Sequence, residues 1–262
     1  MKRLCYSRWG IAVAAATATL LVTAGCGGGG SGGSSSATSS TGSSTGASSA
    51  TSPATTTPAC PRSGAGPCLG KLAAGTYKTQ QFQPPITYTV PAGGWSNEED
   101  DPYGFSLAPP GVTIAQVNNA VNIILMWPGV EAGQLSCSGR PASSGPQTAR
   151  GFVISFEHNK ALRLSGVRPV VVGGLHGYVM TVQAASPHSG VTCGGFTYVP
   201  LINNIANPAD QTGVGSNGDR SLFYFLGANP ALCIVADSSG PHAPSLREEA
   251  SVISHFHFSS AG

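Results

Sequence analysis

The residues best able to do chemistry are scattered along the chain. Glu98, Glu99, Asp100 and Asp101 are the densest carboxylates, and oxygen ligands suit calcium, which takes about six to eight. Consecutive carboxylates do not converge on one ion, and the spaced acidic loop with its glycine is missing, so the stretch reads as a solvated turn. His255 and His257 stand two apart without a third ligand to complete a zinc site, and read as partly exposed histidines near the end of the chain. His188, Ser189 and Gly190 lack the G-x-S-x-G elbow that strains a nucleophile into the open. Cys233 lies in the apolar run ALCIVA, where burial raises a thiol's pKa and makes it inert. The glycine-rich stretch from Gly213 to Asp219 leads toward a strand and so lacks the helix N-terminus that cradles phosphate; it reads as a mobile loop. Trp95 and Trp127 each sit at a strand end beside Pro or Gly, where a large ring can line a ligand groove or pack into core or rim. The residue types thus assemble no catalytic set, metal site or cofactor site, and the chain reads as a non-enzyme.

The most specific chemistry is at the start. Lys2, Arg3 and Arg8 precede an apolar run from Ile11 to Val22, shorter than the roughly 20 residues that span a bilayer. The run closes on LLVTAGC, whose Thr23-Ala24-Gly25-Cys26 resembles the bacterial lipobox, with Thr23 where Leu is usual. Small residues there let a peptidase reach the bond before a cysteine whose thiol carries diacylglycerol. The competing reading is an ordinary secretory signal that ends near a cysteine. Each buried acyl methylene contributes about 0.8 kcal/mol, so two or more chains anchor a protein stably. Cys26 is therefore the expected lipidation site, residues 1–25 the signal peptide, and the extracytoplasmic face of the cell membrane the expected address.

Residues 27–59 are almost wholly Gly, Ser, Thr and Ala without charge. Such a segment cannot bury enough apolar surface to offset chain entropy and is expected to be a disordered tether. Residues 60–262 then form a single domain long enough for a sizeable core. The formal charge of +2 falls to −1 once Lys2, Arg3 and Arg8 leave with the signal. That balance argues against nucleic acid as a partner, which calls for basic stripes. Five cysteines remain beside Cys26, and an exported compartment favours disulfides. Cys60 with Cys68 and Cys137 with Cys193 are the expected pairs, although spacing alone does not fix connectivity.

The elements that must position these residues follow from periodicity and punctuation. Alternation in ITYTV predicts a strand at 86–90, preceded by one at 75–79. A third runs from Tyr103 to Leu107, and the apolar run from Ala120 to Trp127 suits a strand buried on both faces. Ala149, Phe152, Val153 and Phe156 recur at helical spacing behind two candidate caps, Ser144 and Thr148. Beyond this helix, VVVGGLHGYVMTVQ reads as a hairpin turning on Gly173-Gly174. A second hairpin joins 221–226 to 231–236. Leu246, Ala250 and Ile253 line a closing helix, with Phe256 and Phe258 beyond it.

Strands, helix, strands and a final helix predict an α+β fold in which an antiparallel sheet is flanked by helices. The strand end YTVPAGGW, the buried run, the helix, the PVVVGG..GY hairpin and the SxFxF-like end together resemble actinobacterial cell-envelope lipoproteins with a PsbP-like α/β/α sandwich, the LpqN type among them. The resemblance spans most of residues 70–258 and rests on structural motifs. It implies an envelope domain whose relatives mostly act by binding, and it carries over no catalytic residue. The expected function is thus a lipid-anchored, non-catalytic binding domain for a partner protein or an apolar ligand. A secreted-side hydrolase and a purely structural surface lipoprotein are the rivals.

Overall fold

The computed structural model describes residues 67–112, 123–133, 145–193, 196–208, 210–216, 218–227, 229–238 and 246–259, without the side chains of Cys193, Phe196 and Ser238. An eight-stranded, wholly antiparallel sheet forms the central layer. Its strands are β1 (Gly70–Lys71), β4 (Ser96–Asp100), β5 (Phe105–Ala108), β6 (Ile124–Trp127), β14 (Leu232–Ser238), β13 (Arg220–Leu226), β9 (Leu175–Ala184) and β8 (Leu162–Val172), in that spatial order. Of the two sequence-predicted hairpins, β13–β14 pairs without a break inside the sheet and β8–β9 pairs at one end with a register shift between Ser165 and Arg168.

Both faces of this sheet are buried, and the side chains divide by the period of the pleat. Along β14, Leu232, Ile234 and Ala236 enter one core while Cys233 and Val235 enter the other. The neighbouring β13 sends Tyr224 and Leu226 one way and Phe223 and Phe225 the other. The first face is covered by the small sheet β2 (Gly75–Lys78), β3 (Ile86–Val90) and β15 (His257–Phe258), together with the helix α2 (Leu246–Ile253). Over the second lie the helix α1 (Ala149–His158) and another small sheet built from β7 (Val130–Ala132), β10 (Val191–Cys193), β11 (Phe196–Asn204) and β12 (Gln211–Gly215).

The expected helix-flanked α+β sandwich is thereby overturned. Strand accounts for 51% of the structure and helix for 11%, with two helices among the described residues, so the protein is mostly antiparallel β. The sequence reading treated every strand as a candidate for one sheet. The strands β2–β3 and β11–β12 instead pair among themselves and take the covering role assigned to helices. Two local expectations also change. The supposed acidic turn is strand β4, and the supposed mobile glycine loop begins as strand β12. A Cβ on Gly213 would collide with the carbonyl oxygen of Val199, so glycine there allows β12 to approach β11.

Helix α1 forms where its periodicity places it. Thr148 is the N-cap, its Oγ1 accepting from the Gly151 amide at 3.1 Å, and Ala149, Phe152, Val153 and Phe156 are the buried face. Glycines 173 and 174 turn the β8–β9 hairpin with φ of +55° and +89°, the left-handed values a two-residue turn requires.

Candidate binding edge

The residues singled out for chemistry are not gathered into one site. Trp95 is fully buried in the first core and Trp127 in the second, so the central sheet lies between them. Neither lines an open groove. Cys26, Cys60 and Cys137 lie outside the described residues, as does the side chain of Cys193. Cys68 is buried and disulfide-bonded. Cys233 is a free thiol in the second core, and burial pushes its pKa far up.

Asp100, from the acidic run, is buried and accepts backbone hydrogen bonds from Gln80, Gln81 and Phe82 at 2.8, 3.1 and 2.9 Å. Its carboxylate pins the chain between β2 and β3, a structural duty. The Ser189 hydroxyl bonds to Ser186, while His188 contributes its backbone N–H to the Ser186 hydroxyl. Both His255 and His257 are exposed. Among the described residues no group of three or more His, Cys, Asp or Glu is placed to hold a metal ion.

What the structure does bring together is an open flank built by α1, β8 and β9. Strand β8 closes one end of the central sheet and, among the described residues, pairs with β9 alone. Ser165 to Pro169 are all exposed, and Val171 is 56% exposed. A groove of about 580 Å³ opens where the first turn of α1 meets the hairpin end of β8–β9, lined by Arg150, Pro169, Val171, His176 and Tyr178. Another, of about 570 Å³, lies by the opposite end of β8, at Arg163, Gln183, Pro187 and Ser216.

The flank is also electrically distinct. The chain has thirteen basic residues. Arg150, Lys160, Arg163 and Arg168 all fall on it, all exposed, with Glu157 as the single acid between Ala149 and Ala184. A chain of formal charge +2 therefore carries a local excess of three positive charges along this flank. Sequence reasoning passed over this edge, although two arginines and Pro169 inside a β-like run are the usual marks of an edge strand.

A second unforeseen group lies under α2. Glu249 has no exposed surface, and among the described residues neither carboxylate oxygen has a hydrogen-bond partner. Burial, with Asp237 and Glu248 nearby, pushes its pKa up to about 9, so the side chain is a neutral acid at pH 7. Close by, Tyr224 is raised by burial, with Arg168 and Glu249 acting in opposite directions, and the Ser221 hydroxyl donates to Asp237 at 2.7 Å. A signal was available, since Glu249 occupies the i+3 position between Leu246 and Ile253 on the apolar stripe.

No protein-family model matches the chain, and no curated protein is significantly similar to it.

Proposed function

We propose that the chain is a lipoprotein anchored through Cys26 to the extracytoplasmic face of the cell membrane, and that its β-rich domain binds a partner protein or an apolar ligand without performing chemistry. The observation that carries the reading is the n-region, short apolar run and LLVTAGC ending, followed at once by a charge-free Gly/Ser/Thr tether. Such a tether of about 33 residues reaches roughly 30 Å as a coil, enough to hold a domain off the lipid surface. The exposed grooves beside β8 give the domain somewhere to bind.

Intact-mass analysis of the chain purified from membranes tests the anchor. Loss of residues 1–25 with a diacylglycerol adduct on Cys26, and release of C26S from the membrane fraction, are the expected results. A bare Cys26 in a chain recovered from the membrane would overturn the reading.

A further inference from the structure

We propose that the outer edge of β8 is a docking strand that takes up an extended, acidic segment of a partner protein as an added antiparallel or parallel strand. The inference rests on the binding role proposed above and names the chemistry of the partner. An edge strand presents backbone donors and acceptors that an extended peptide can satisfy, while side chains beside it supply selectivity. Strand β8 is eleven residues long, more than twice the length of β4 or β12, and its central residues are exposed. Grooves at both ends can receive side chains of the incoming strand.

Charge selects the occupant. Arg163 and Arg168 lie on β8 itself, with Arg150 at the groove, so carboxylates on an added strand meet positive partners and lysines meet repulsion. A second copy of this chain is disfavoured by the same residues, because pairing β8 with β8 sets arginine-bearing strands side by side. An apolar ligand would engage Val171 and Tyr178 but leave the arginines and the backbone edge unused. Pro169, which lacks an N–H, and the register shift between Ser165 and Arg168 divide the edge into two short pairing segments. They limit indiscriminate sheet growth without closing the edge.

Fluorescence anisotropy tests the proposal with the full mature chain in detergent and a labelled seven-residue peptide alternating Val with Asp and Glu. The expected result is saturable binding that weakens about tenfold in the double variant R163E/R168E, since rim charges set electrostatic complementarity. That variant should instead bind the matching Val/Lys peptide, a rescue that a misfolded protein cannot give. Methylating alternate peptide amides on the bonding edge should also weaken binding about tenfold, because strand addition depends on main-chain hydrogen bonds.

Three results overturn it: equal affinity for acidic and basic peptides, no loss on methylation, or no peptide binding. Binding of dihexanoylphosphatidylglycerol that depends on both arginines, without peptide binding, would overturn it in favour of an anionic lipid. Peptide failure with a diacylated Cys26 removes the docking strand alone, whereas a bare Cys26 removes the anchored reading whatever the peptides do.

Discussion

The two faces of the central sheet are both buried, yet they are built differently. The second face packs α1 on β13 through a nearly pure hydrocarbon contact. Phe152 stacks on Phe225 with centroids 4.3 Å apart and planes within 5°, and Phe156 meets Phe223 and Phe225 edge-on. The first face has its own aromatic cluster of Tyr88, Phe105 and Phe256, but polar groups are sealed in with it. Trp95 Nε1, Asn97 Oδ1 and the Glu249 carboxyl have no hydrogen-bond partner there among the described residues. A buried polar atom without a partner costs about 1 to 3 kcal/mol. The second face therefore contributes cohesion, while the first face gives up part of its own to groups whose energy depends on water and pH.

Truncation should expose the contrast most strongly. F225A removes the ring that α1 rests on and leaves an apolar void, for a loss of about 4 kcal/mol, within the range for buried Phe to Ala. F105A makes a similar hole on the first face. That hole adjoins Tyr88, whose hydroxyl accepts from Asn97 Nδ2 at 3.3 Å, so water entering it would find polar partners. Its cost should be smaller, about 3 kcal/mol. Denaturant midpoints of the two variants at equal m-value check the order, and a larger loss for F105A would remove the distinction between the faces.

The next effect is larger in interest than in size. A carboxyl whose pKa rises on folding holds its proton more tightly in the native state. Its contribution is thus fully present below its ordinary value of 4.5 and is lost steadily as pH rises toward about 9. E249Q removes that dependence with little change of shape. It should raise stability by about 3.5 kcal/mol at pH 7, from roughly 1.4 kcal/mol per pH unit above the unfolded pKa, and by much less at pH 5. Thermal melts of both chains from pH 5 to 9 check this. Parallel curves would show that Glu249 is ionised and satisfied at neutral pH.

The same contrast explains how much could be read from the sequence. Elements whose signal is local were legible: α1 from its Thr148 cap and four apolar positions, β8–β9 from two glycines, and β13–β14 from two apolar runs. The covering layers were not, because nothing in ITYTV or QTGVG says whether a short strand joins the large sheet or pairs with its neighbour in sequence. Asn97 to Asp101 reads as a turn because its carboxylates are expected to seek water. In the fold, Asp100 turns inward to three backbone N–H groups, a partnership set by residues 18 to 20 positions away. The binding edge was hidden for a related reason: Arg163, Arg168 and Val171 are ordinary strand residues until β8 proves to be the last strand of the sheet.

The smallest effect tests whether the second face depends on its helix being held at the start. Thr148 caps α1 through one hydrogen bond to Gly151, and the first turn carries no acidic residue to complement the helix dipole. T148A should therefore cost about 1 kcal/mol, the usual value of an N-cap, and T148D should recover it by supplying both an acceptor and a negative charge. Thr148 also borders the groove at the hairpin end of β8. A substitution acting only through the cap leaves acidic-peptide affinity near that of the parent for T148A. For T148D, a carboxylate beside Arg150 competes with the peptide, so stability should rise relative to T148A while affinity falls. Stability and affinity moving together in T148D would mean that the cap and the groove are not separate features of this face.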